Sequence, residues 1–168
     1  TNVGAFDYNL GCSGYVYGLA IAKGLVMAKI AKNVLLLTAE TYSKYLHPKD
    51  KGNRTIFGDA ATASVISNKG FAKIGEFSLG TDGLGADHPL SSDHLYMNGS
   101  EIFSFTQNIV PKVVCETLAN NSIVKDDIDL FIFHQANKYM LDFLRRKMKI
   151  DSEKYYINLR KIGNTVSN

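Results

Sequence analysis

The chain changes periodicity several times, and each change marks an element. Residues 4–10, Gly-Ala-Phe-Asp-Tyr-Asn-Leu, alternate apolar and polar side chains, the period of a strand. From Ser13 to Ala31 the period becomes helical: Tyr15, Leu19, Ala22 and Val26 recur at three- and four-residue spacing. Gly14, Gly18, Ala20 and Gly24 offer a small-residue face whose lost helix propensity close packing would repay. Asn33 to Ala39 is a short continuous apolar run, the pattern of a strand covered on both faces. A turn-rich stretch, 43–55, reads as a surface excursion before a small-residue strand at Ala60 to Ile66 and an alternating segment at Phe71 to Leu79.

Residues 80–93 are loop by composition. Ile102, Phe105, Ile109, Val113 and Leu118 then set out an amphipathic helix over 100–120, with Pro111 inside it as a point of kinking. Cys115 falls in that helix as a small buried hydrophobe. Asp129 to Phe133 predicts a buried strand, 135–149 a helix through Met140, Phe143, Leu144 and Met148, and Tyr155 to Leu159 a last strand. This β-α-β rhythm places the chain in the α/β class.

Composition narrows the function. The 168 residues are 45% hydrophobic and 21% charged, enough to bury a core and too apolar for disorder. A net charge of +3 implies no nucleic-acid partner, and any attraction to an acidic partner must come from a local patch. No apolar run has the length of a membrane span and the first residues lack a signal-peptide pattern, which predicts a soluble protein with no membrane partner. Two cysteines make a poor disulfide framework, so a reducing cytoplasm is the expected compartment.

Reactive side chains fall at junctions between elements. Cys12 follows a strand and opens a helix, His134 follows the 130–133 strand, and Asn164 follows the 155–159 strand and a short loop. Sites in open α/β folds assemble at the carboxyl ends of strands, so the three are candidates to converge. A helix N-terminus lowers a thiol pKa and favours the thiolate, which makes Cys12 a candidate nucleophile; a buried structural thiol is the equal alternative. His134 suits general acid–base work or donation to an oxyanion, against a satisfied core histidine. Asn164, in Gly-Asn-Thr, reads by itself as a turn or cap, with an amide able to donate. His47, His88 and His94 lie in polar loop sequence, and no spacing suggests a metal site. The order Cys-His-Asn also matches papain-like proteases, but their cysteine signature is missing and the chain contains no tryptophan.

Five strings carry a resemblance: Asp7-Tyr-Asn-Leu-Gly-Cys12-Ser-Gly-Tyr, Ile56-Phe-Gly-Asp-Ala60, Met97-Asn-Gly-Ser-Glu-Ile-Phe103, His134-Gln-Ala-Asn137 and Gly163-Asn-Thr165. Together they resemble β-ketoacyl-acyl-carrier-protein synthase III, of the thiolase superfamily. The resemblance implies an incomplete thiolase-like α-β-α-β-α fold. Residues 1–79 would be the second part of the first repeat, with the nucleophile, and 80–168 the inter-repeat loop and first part of the second repeat, with His and Asn.

By that resemblance Cys12 accepts an acyl group from acyl-coenzyme A and offers its backbone N–H to the oxyanion. His134 and Asn164 would donate to the carbonyl of malonyl-acyl-carrier protein during decarboxylative Claisen condensation. Coenzyme A and substrate contacts would fall on Lys51, Arg54, Ile56, Gly99, Phe103, Ala136 and Asn137. Carrier-protein contacts would fall on Gln135, Lys138, Tyr139, Arg145 and Arg146, with Lys147 and Lys149 adding to a basic patch. The family implies no cofactor beyond its substrates, a homodimer, and the initiation of fatty-acid synthesis. The alternatives are a related condensing enzyme of secondary metabolism with another acyl donor, or a non-catalytic partner subunit of the same fold. Where the family has Asp-Arg-Gly this chain has Asp50-Lys51-Gly52, and lysine neither stacks nor forks as arginine does. No string matches the glycine-rich loop that supplies the family's second oxyanion donor, so these residues alone are expected to condense little.

Overall fold

Small residues decide how the first half packs. In the computed structural model, which describes residues 2–85 and 94–168, helix α1 runs Gly14–Met27 and buries Gly14, Gly18 and Ala22. A Cβ on Gly18 would collide with the Tyr8 hydroxyl and lie 2.7 Å from Leu36 Cδ1, so glycine is what lets helix and sheet touch there. Gly24 faces open space, so the small-residue face is shorter than its sequence suggests.

Beneath α1 lie β1 (Asn33–Glu40) and β2 (Ala60–Ser67), paired antiparallel from Asn33 opposite Ser67 to Glu40 opposite Ala60. Ala22, Leu36 and Ile66 form the centre of this core, with Tyr15, Leu19, Val26, Val34 and Ile74 packed around it. Along β1 the covered face reads Val34, Leu36, Thr38, Glu40, passing from apolar to polar toward its C-terminal end. The opposite face is bare: Leu35, Leu37 and Val65 are 60%, 64% and 72% exposed. The expectation of a strand covered on both faces is met on one face only among the described residues, because α1, Ile74 and the 164–168 stretch all lie against the Val34–Glu40 side.

The turn-rich stretch holds a 3₁₀ turn at Tyr42–Lys44 and a four-residue helix α2, Lys51–Arg54, capped by Asp50 through Gly52 N and Asn53 N, both 3.0 Å. Hydrogen bonds from Asn53 hold the exposed Asp50 carboxyl below the usual range.

Helix α3, Gly99–Asn120, continues through Pro111. None of its residues is fully buried, and Cys115 is exposed rather than buried: α3 packs on α4 and the 128–133 segment with part of its circumference, and Cys115 lies off that contact. Helix α4 is Lys138–Lys147, beginning three residues later than its periodicity predicts because the Asn137 side chain caps it, accepting from Met140 N at 2.8 Å. The second core gathers Phe131, Leu141, Ile150 and Tyr155, with Phe133 stacked on Tyr155 at 5.3 Å. Burial pushes the Tyr155 phenol up to about 12, and its hydroxyl has no hydrogen-bond partner.

Four predicted strands form no ladder. Residues 2–10 and 73–80 are irregular, while Phe131 and Tyr155 share a single parallel bridge, closed by Phe131 N to Lys154 O (2.7 Å) and Tyr156 N to Phe131 O (3.0 Å). Side chains hold the 73–80 segment instead: Lys23 reaches Gly75 O and Glu76, and Asn121 accepts from Glu76 N at 2.7 Å. Among the described residues no helix is long and apolar enough to cross a membrane.

Candidate active site

Three segments meet at the C-terminal end of β1. Cys12 stands in the turn that opens α1, where Gly14 N donates to Gly11 O at 2.8 Å and Tyr8 Oη donates to Gly14 O at 2.7 Å. Ser13 occupies the cap position without a side-chain cap, so the backbone alone shapes this turn. The Cys12 side chain is partly exposed, yet surrounding protein pushes its thiol up, the Glu40 carboxylate adds to that, and a hydrogen bond from its own N–H opposes it. Desolvation and a neighbouring negative charge thus act against the lowering that a helix N-terminus favours. Tyr42 shares the environment. Its phenol is raised by burial and by Glu40 and Cys12, and its ring stacks on Phe57 at 5.0 Å.

Asn164 arrives from the far end of the chain. Only 3% of it is exposed, and its main chain is stitched between two residues of the Ile56–Ala60 string: Asn164 N donates to Ile56 O (2.8 Å) and Gly58 N donates to Asn164 O (3.0 Å). The approach depends on glycine. Gly163 has φ +68°, and a Cβ there would lie 2.6 Å from Ile56 O. Asn164 Oδ1 accepts from Val166 N at 2.9 Å, which leaves the NH₂ end of the amide as a donor.

His134 lies beside the second core rather than in it, at the end of the Phe131 segment and four residues before α4, with part of its surface open to solvent and its ring partly desolvated by neighbouring protein. Burial holds its imidazole below the usual histidine value, against a hydrogen bond with the Val166 main chain. Val166 thus contacts both His134 and Asn164, and Ser167 contacts the Cys12 side, donating from Oγ to Glu40 Oε1 at 2.6 Å and lying 3.3 Å from a Cβ placed on Gly14. These linking residues were not signalled by the sequence; Val166, at φ +62°, has no local pattern that marks it.

The remaining predicted residues spread around this centre. Ile56 touches it through its carbonyl. Ala136 N donates to His134 O at 2.9 Å. Asn137 caps α4, Gly99 opens α3, and Phe103 on α3 packs its ring on Tyr139 (5.5 Å) and Phe143 (5.0 Å) of α4. Lys51 and Arg54 lie on α2, where Arg54 Nη1 donates to Pro48 O at 2.6 Å beside a pocket of about 250 Å³ lined with Ser43, Leu46 and Phe57.

Gln135 is half-buried and engaged on both ends of its amide, donating to Phe133 O and Tyr156 O and accepting from Asn158 N. Arg145 donates to Ile150 O at 3.2 Å just beyond the end of α4, Arg146 to Asp142 O and Lys147 to Gln107 O, so these basic side chains are all anchored to main-chain carbonyls. Lys138 pairs with Asp142 one turn along. His47 and His94 stand edge to face at 4.8 Å, and His88 lies outside the described residues. Among the described residues no group of three His, Cys, Asp or Glu side chains is arranged to hold a metal.

Solved structures share this arrangement over nearly the whole chain. A 3-oxoacyl-(acyl-carrier-protein) synthase III solved at 2.1 Å superposes with TM-score 0.91 at 47% identity, covering 99% of this chain and 58% of that one. The synthase III of Aquifex aeolicus also gives 0.91, at 31% identity, covering 99% of this chain and 55% of its own. The priming β-ketosynthase of the R1128 polyketide pathway gives 0.88 at 25% identity, covering 99% and 54%. The fold is therefore thiolase-like, incomplete in this chain. Two family models match in succession, 3-oxoacyl-acyl-carrier-protein synthase III over residues 6–83 and the C-terminal part of the same family over 118–168. The chain belongs to the β-ketoacyl-acyl-carrier-protein synthase III family. A curated member from Caldanaerobacter subterraneus is 37% identical across 98% of the chain, and the chain spans about half the length of such relatives, 55% in that case.

Proposed function

We propose that these residues carry the reacting centre of an acyltransferase that starts fatty-acid synthesis, condensing an acyl-coenzyme A primer with malonyl-acyl-carrier protein. The observation that carries this reading is the 164–167 turn. Through it the surroundings of Cys12, the ring of His134 and the amide of Asn164 contact one short stretch of backbone.

In this reading the Cys12 sulfur attacks the primer carbonyl and coenzyme A leaves as a thiol. The Cys12 proton is given up as its sulfur attacks, favoured by the N–H groups at the start of α1, and ends on the departing coenzyme A sulfur. Carbon dioxide then leaves the malonyl unit, and the enolate carbon attacks the acyl carbonyl and releases the Cys12 sulfur. The free NH₂ of Asn164 and the His134 nitrogen turned away from Val166 would hold the enolate oxygen; one such donor is worth about 10²–10³ in rate.

Coenzyme A would lie along Lys51, Arg54, Ile56, Gly99, Phe103, Ala136 and Asn137. The acidic carrier protein would meet Gln135, Lys138, Tyr139, Arg145 and Arg146. We assign no cofactor, a homodimer as the working form, and a reducing cytoplasm, which suits a catalytic thiol. The two cores support a division at residues 1–79 and 80–168. Membership of a secondary-metabolite branch is the second reading, favoured by the R1128 enzyme; the higher identities to fatty-acid relatives favour the first.

The test is intact-mass spectrometry of the full-length chain after incubation with a short-chain acyl-coenzyme A. An acyl mass gain that disappears in Cys12→Ser is expected. No gain with any acyl-coenzyme A overturns the reading.

A further inference from the structure

The buried polar side chains of the described residues fall in one place: Thr38, Asn164, Thr165 and Ser167. They line the polar end of the β1 inner face. Thr38 Oγ1 bonds Thr62 Oγ1 across the strand pair (2.6 Å) and Asn168 Oδ1 (2.8 Å), and one β1 pleat further Glu40 accepts from Ser167. Buried polar groups hold together only when satisfied, and these bonds span up to 130 residues of chain.

We propose that Glu40 is a positioning residue of the Cys12 site: its carboxylate grips Ser167 and clamps the Asn164–Ser167 turn against the opening of α1. The inference rests on the reading of Cys12 as the nucleophile. Ser167 sits between the Glu40 carboxylate and Gly14, so a shift of Glu40 moves the turn that carries Asn164 and touches His134. Glu40 also acts directly. The titratable groups felt by the thiol environment are Glu40 at the end of β1 and Tyr42 just after it, and the negative charge of Glu40 disfavours the thiolate. Burial is the larger cause of the raised thiol and the Glu40 charge adds to it, so the same carboxylate that clamps the turn also disfavours the thiolate.

The experiment reads Cys12 alkylation by iodoacetamide against pH in a Cys115→Ser background, followed by peptide mass spectrometry. Glu40→Gln lowers the titration midpoint and speeds alkylation at pH 7.5 by about three- to tenfold, the effect of removing one nearby charge in a partly exposed setting. Glu40→Asp keeps the charge and stays near the parent. Ser167→Ala keeps the midpoint raised but loosens the turn, so the amides of Gly58 and Asn164 exchange about tenfold faster or more. An unmoved midpoint in Glu40→Gln, an equal shift in Glu40→Asp, or unchanged exchange in Ser167→Ala overturns the proposal. Alkylation does not depend on acyl-coenzyme A, so failure of acyl transfer with these shifts intact removes the proposed function alone.

Discussion

The half that holds Cys12 and the half that holds His134 are built by different means. Around Cys12 the backbone does the positioning: an eight-residue antiparallel ladder, a helix laid on it through Gly14, Gly18 and Ala22, and a turn made by main-chain bonds. Around His134 there is one strand bridge, and a compact aromatic and aliphatic cluster substitutes for the ladder. A ladder fixes direction but leaves a face to be covered, and here Leu35, Leu37 and Val65 stay bare. A cluster buries its side chains well but depends on each of them. The nucleophile thus stands on a backbone frame, and its partners stand on packing.

That contrast is sharpened first by Leu141→Ala. Leu141 is 1% exposed at the centre of the second core, and its truncation should cost about 2–5 kcal/mol in urea unfolding. A loss under 1 kcal/mol would mean that packing is not what holds the His134 half. On the other side the sensitive point is a missing side chain. Gly18→Ala pushes a methyl into Tyr8 and Leu36 and should cost about 1–3 kcal/mol. Gly24→Ala, six residues along the same helix and in open space, should gain about 0.5–1 kcal/mol. If the two glycines respond alike, the close approach of α1 to β1 is not what glycine is there for.

The smallest effect is on pH. Burial sets the His134 pKa below its ordinary 6.5, so as pH falls past that value the unfolded chain takes up the proton first. Any stability lost to this residue is lost on the acid side, setting in as pH falls toward the unfolded value of 6.5 and growing below it. Ring-proton NMR should find His134 neutral at pH 6.5, and His134→Gln should flatten the acid slope of the unfolding midpoint. A ring already protonated at neutral pH would contradict the burial.

Much of this was legible beforehand. The repeat of Tyr15, Leu19, Ala22 and Val26 locates α1 and the face it buries, and the patterns for β1, β2 and α3 end within one residue of the elements themselves. The predicted strands at 4–10, 71–79, 129–133 and 155–159 have the right alternation, but alternation describes one chain and a ladder needs two. Asp50 and Asn137 are identifiable as helix caps only once the first helical residue is known. In the site, Cys12, His134 and Asn164 stood out because reactive side chains at element junctions are conspicuous. Glu40, Val166 and Ser167 did not: a bond between residues 127 apart leaves no periodicity, and the raised Cys12 thiol depends on that distant carboxylate as well as on burial.

The bare sheet face has a consequence for the chain as a colloid. Leu35 lies directly across from Val65, and Leu37 from Ala63, so the exposed apolar groups form a contiguous patch on a sheet that has only two strands among the described residues. Such a surface attracts any other of its kind. Handled by itself, this stretch of polypeptide is inclined to self-associate as concentration and salt rise, since a net charge of +3 supplies little repulsion to keep copies apart.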